Sequence, residues 1–98
     1  MNPRNIPLTL EQREDMLHAL GASHGILGWR NYFCAGQGKQ QVEWDELVRL
    51  GVAQMTNTTP FAGDVVYRVS DVGIQALGYD PSILDKPIIL GKARRARS

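Results

Sequence analysis

The side chains of this chain with nucleophilic or metal-binding chemistry are His18, His24 and a single cysteine, Cys34. A zinc site needs several Cys or His ligands at short spacings, and a thiol nucleophile needs a base beside it. Neither pattern is present. His18 stands four residues after Glu14 and three after Asp15, the arrangement of a surface pair on a helix. His24 falls past the expected end of that helix, and no second cysteine or HxxxH pattern completes a ligand set. Cys34 then reads as a small buried hydrophobe. The expectation is a protein with no enzymatic activity, no catalytic residue, no metal and no cofactor.

Three other groups have the chemistry of recognition. Gly36-Gln37-Gly38-Lys39 pairs exposed backbone N–H groups with a lysine, but a P-loop requires Ser or Thr after the lysine and Gln40 follows instead. A flexible connector is expected there. Trp29, Arg30, Tyr32 and Phe33 combine aromatic surface with a guanidinium group, the composition of interface hot spots and of single-strand stacking platforms. Core packing is the expected role of Trp29 and Phe33, which leaves Arg30 and Tyr32 as binding candidates. The third group is ionic. Glu43, Asp45 and Glu46 lie on one short helix and suit a basic protein surface, whereas Lys92, Arg94, Arg95 and Arg97 suit a phosphate backbone, weakly and without sequence selection.

The elements that must position these residues fit within one domain, because 98 residues support a single core. A hydrophobic share of 43% with 21% charged residues is ordinary globular composition, far from that of disordered chains. No apolar run reaches membrane-spanning length and the start lacks the apolar stretch of a secretory signal, so a cytoplasmic protein without a membrane partner is expected. Charge is divided along the chain. Residues 1–85 carry six Lys/Arg against ten Asp/Glu, and residues 86–98 carry five Lys/Arg and no acid. A globular nucleic-acid binder shows its positive charge on the folded surface, whereas here the excess lies at one end. The expected organisation is a compact domain over 1–90 and a disordered basic tail over 91–98, folding alone or as a homodimer.

Thr9 followed by Gln12 is a capping box, so a helix is expected over 10–20, closed by Gly21. Residues 22–41 lack a sustained period yet hold Ile26, Leu27, Trp29, Tyr32 and Phe33, which predicts a packed loop with one helical turn near 29–34. Trp44, Leu47, Val48 and Leu50 at helical spacing predict a second helix over 41–50, stopped by Gly51. Residues 52–55 and 65–69 read as a hairpin with a long tip. Ser70 is an N-cap for a third helix over 71–77. Ile83, Leu84, Ile88, Ile89 and Leu90 form an apolar patch, read as either an extra strand or a docking surface.

The stretch from Trp44 to Leu77, with Leu47-Val48, Gly51-Val52, Tyr67-Arg68-Val69-Ser70, Gly73 and Ala76-Leu77, resembles the winged-helix proteins of bacterial transcription. That resemblance implies an α+β, winged-helix-like fold (helix, loop, helix, β-hairpin, helix, irregular tail) in which the hairpin is the wing. A longer pattern over about 8–78, from Leu8-Thr9 and Gln12-Arg13 through Trp29-Arg30-Asn31-Tyr32-Phe33 to Tyr67 and Gly73, is similar to small proteins of bacteriophage and prophage genomes. A helix that reads DNA offers Arg, Lys, Asn or Gln to bases and phosphates, whereas the second helix offers Glu43, Asp45 and Glu46 against Arg49. The leading expectation is therefore a phage or prophage protein that binds another protein, inhibiting a host nucleic-acid-handling or defence complex. Its contacts would be Arg30, Tyr32, Glu43, Asp45 and Glu46. The alternatives are a DNA-binding regulator whose basic tail tracks the backbone, and a virion structural or assembly protein.

Overall fold

The structure, a computed structural model, describes residues 2–56 and 63–90. The hairpin tip over 57–62 and the basic tail with Lys92, Arg94, Arg95 and Arg97 lie outside them. The described chain is a small α+β fold with three α-helices and two antiparallel sheets. No helix among the described residues is long and apolar enough to cross a membrane.

Helix α1 spans Leu10–Ala19, and its start follows the expected chemistry. The Thr9 hydroxyl accepts from the Gln12 N–H at 3.0 Å, while the Gln12 side chain accepts from the Thr9 N–H at 2.9 Å. Gly21 closes the helix with φ of 90°, a conformation that costs glycine nothing and other residues about 1 kcal/mol or more. Ahead of α1, Pro3–Asn5 forms a short 3-10 turn, and Ile6 and Leu8 pack against the core.

The segment after α1 departs from the expected loop. A 3-10 turn at Ala22–His24 leads to strand β1, Ile26–Leu27, and then to strand β2, Phe33–Ala35, in place of a helical turn over 29–34. Helix α2 follows at Lys39–Arg49, with Trp44 and Leu47 buried. Strand β3 is Ala53–Met55 and strand β4 is Val65–Val69. Helix α3, Asp71–Ala76, is capped by the Ser70 hydroxyl, which accepts from the Gly73 N–H at 3.0 Å. A 3-10 turn at Pro81–Leu84 brings the chain to strand β5, Ile88–Ile89. Of the two readings offered for the apolar patch, a strand is thus present.

The main sheet has the order β2-β4-β3, with Phe33 opposite Tyr67 and Tyr67 opposite Met55. The second sheet pairs β1 with β5, Ile26 facing Ile89 and Leu27 facing Ile88. Between α1, α2, α3 and the main sheet lies one core that includes Met16, Leu20, Leu27, Trp44, Tyr67, Val69 and Ile74. Its aromatic centre is a stack: Phe33 lies 5.4 Å from Trp44, which lies 5.6 Å from Tyr67.

Cys34 is a correction. The middle residue of β2 alternates to the outer face of the sheet, opposite Val66, so the cysteine is exposed. Trp29 is another, since it is 46% exposed where core packing was expected.

Candidate functional site

Residues 28–32 link β1 to β2, and residues 29–32 are fixed by five hydrogen bonds to neighbouring parts of the fold. The Tyr32 N–H donates to the Ala19 carbonyl at 3.2 Å, seating the segment on the end of α1. The Asn31 amide meets the backbone of Val69 on both sides, donating to its carbonyl at 2.9 Å and accepting from its N–H at 2.8 Å. Its side chain thereby continues the β2–β4 pairing beyond the last backbone pair. The Trp29 indole N–H donates to the Gly21 carbonyl at 3.1 Å. The ring lies so close to Gly21 that a Cβ there would meet it at 2.1 Å. His24 meets the same ring edge-on at 5.4 Å.

Between these anchors, the Arg30 guanidinium carbon sits 5.4 Å from the Trp29 ring centre and 5.3 Å from the Tyr32 ring centre, within cation–π range of both. Its Nη2 donates to the His18 carbonyl at 3.0 Å, in the last turn of α1, where a cation also complements the helix dipole. Tyr32 is 52% exposed. Trp29, Arg30 and Tyr32 thus form a surface platform of two aromatic rings and a cation, held in place before any ligand arrives.

The acids of α2 are differently placed. Asp45 accepts from the Tyr67 hydroxyl at 2.7 Å, and Glu46 accepts from Arg49 Nε at 2.8 Å with a second, shorter contact to Nη2. The arginine bond holds the Glu46 carboxyl below its usual range. Glu43 lies 3.9 Å from Lys39. Each of the three expected contact carboxylates therefore already has a partner within the fold. Burial, with Asp45 beside it, pushes the Tyr67 phenol well above its usual range. Asp15 on α1 is raised by burial and then by Glu43, Glu11 and Glu14, against an opposing effect of His18.

His18, His24 and Cys34 are not brought together. The His18 ring meets Phe33 edge-on at 6.0 Å in place of an ion pair with Glu14 or Asp15, and His24 belongs to the Trp29 contact. The Cys34 Sγ lies 3.7 Å from an Asp64 oxygen, and desolvation with that carboxylate raises the thiol, which disfavours a thiolate. Among the described residues no group of three His, Cys, Asp or Glu is disposed to hold a metal. The Gly36–Lys39 run, expected as a connector, leads into α2 through Gly38 at φ of 93°.

No family model, curated protein or solved structure matches this chain.

Arg30 and Tyr32, singled out from composition, do come together, joined by Trp29. Sequence reasoning missed Asn31 and the second role of Gly21. A Trp eight residues after a helix-ending glycine is the available signal for the Gly21 contact. For Asn31 there was none, because its partner Val69 is 38 residues away.

Proposed function

We propose that this protein is a non-enzymatic binding module that docks another protein on the Trp29–Arg30–Tyr32 platform. The observation that carries the reading is that a guanidinium lies over two exposed aromatic rings at the surface, in a segment anchored to α1 and β4. Trp, Tyr and Arg are the residues that dominate binding energy at protein interfaces, and rings already held in place lose little freedom on docking. The acids of α2 support the reading less than the platform does, since each is engaged within the fold.

In finer terms the fold reads as winged-helix-like, with α2 preceding the β3–β4 hairpin and β2 completing its sheet. The setting we propose, from the sequence likeness, is a phage or prophage protein acting on a host complex. A DNA-binding role draws less support. Along α2 and the described part of the hairpin, the cations are Lys39, Arg49 and Arg68, and the first two lie against Glu43 and Glu46.

The test compares wild-type protein with Trp29→Ala and Tyr32→Ala as baits, followed by affinity measurements on the purified partner. A partner bound by wild type and weakened about tenfold or more by either change is the expected result, the scale of a hot-spot truncation. Unchanged partner affinity in both variants, together with tight duplex DNA binding near physiological salt, would overturn the reading.

A further inference from the structure

We infer that the platform recognises a carboxylate on its protein partner, an Asp or Glu side chain flanked by apolar residues, through the free end of Arg30. This rests on the docking role proposed above and adds the chemistry of the partner. A guanidinium carries five N–H donors, and the fold uses few of those of Arg30. One donor on Nη2 is spent on the His18 carbonyl. Nε is buried with no partner. Nη1 makes no hydrogen bond within the fold, and Arg30 is only half-buried. Among the described residues no acid lies within ion-pair distance of Arg30, although Lys39 and Arg49 both have one. Arg4, Arg13, Arg68 and Lys86 share that lack, but of these cations it is Arg30 that lies over two exposed aromatic rings.

The surroundings favour a carboxylate on a protein over a polyphosphate chain. Residues 1–85 hold ten Asp/Glu against six Lys/Arg, so the folded body as a whole offers a nucleic-acid strand little electrostatic attraction. A single carboxylate meets only the local cation and gains a charge-assisted hydrogen bond partly shielded by the two rings. Trp29 and Tyr32 then cover the apolar neighbours of that carboxylate. A proline-rich peptide fits less well, because the Trp29 N–H that would hold a peptide carbonyl is bound to Gly21 and Arg30 lies over both rings.

The experiment titrates the full chain, followed by NMR at the Trp29 indole and Arg30 Nε–H signals, with three probes. These are a capped pentapeptide with one glutamate between two phenylalanines, its glutamine twin, and pentathymidylate. The expected result is binding of the glutamate peptide about tenfold tighter than the glutamine peptide, the scale of one hydrogen bond to a charged group. Arg30→Gln should abolish that preference while Arg30→Lys retains part of it. Equal affinity for the two peptides would overturn the carboxylate inference and leave docking on the aromatic rings intact. Tighter binding of pentathymidylate would overturn it in favour of nucleic acid.

Discussion

The Tyr67 hydroxyl shows how a single side chain ties two layers together. Its ring is stacked on Trp44 in the core, while its oxygen reaches the exposed Asp45 on the same helix as Trp44. Replacing it with phenylalanine keeps the stack and removes the bond to a charged acceptor, so Tyr67→Phe should cost about 1–2 kcal/mol in urea unfolding, with an unchanged m-value. A loss well below that range would mean that Asp45 exchanges the phenol for water at no cost. The same scale explains the platform. Gly21 serves α1 by its positive φ and serves Trp29 by having no Cβ, two demands met by one residue.

At the scale of elements, Ser70 joins β4 to α3. It accepts from the Gly73 N–H, donates to the Gly51 carbonyl at 2.8 Å, and is buried. Ser70→Ala leaves the buried Gly73 N–H without its acceptor and the Gly51 carbonyl without that donor, so a loss of about 2–3 kcal/mol is expected, read as a lower denaturant midpoint. These starts and stops were legible in the sequence because caps are local: Thr9 with Gln12, Ser70, Gly21 and Gly51 each act within a few residues. β1 and β2 were not legible as strands, and β5 was legible only as one of two readings of its apolar patch. They are two or three residues long, and what defines them is pairing across 26–89 and 33–67, which leaves no periodic mark. The exposure of Cys34 followed from the same gap, since its face is set by the β4 partner. Of the candidate site, the residue types of Arg30 and Tyr32 were legible, whereas the placing of Arg30 over both Trp29 and Tyr32 depends on Gly21, His18 and Val69 holding the segment. The two flanks of the β2 edge are engaged as well. The Tyr32 N–H is taken by α1 and the Gly36 N–H by the Gln40 side chain at 2.9 Å, which limits edge-to-edge pairing there.

Across the whole molecule, charge is arranged at some cost to stability. Asp15 is raised by burial first and then by Glu43 and the acids of its own helix. An acid whose folded pKa lies above its usual 3.8 favours the folded state below that value and opposes it as pH rises through the folded pKa. Asp15→Asn should therefore raise the melting temperature at neutral pH, with the advantage shrinking as the pH falls towards the carboxylate range. A pH-independent gain would show that the effect is packing and not ionisation. The arginines work in the opposite sense: Arg30 bonds to a carbonyl at the end of α1, and Arg13 reaches across the fold to the carbonyls of Ala76 and Leu77 at the end of α3. That reach has a consequence for how the protein is made. As the nascent chain leaves the ribosome, α1 emerges without the main-chain oxygens that Arg13 will grip, and β1 without the strand it will pair with. Both arrive only with residues 76–89, so these contacts cannot form until that stretch has been made.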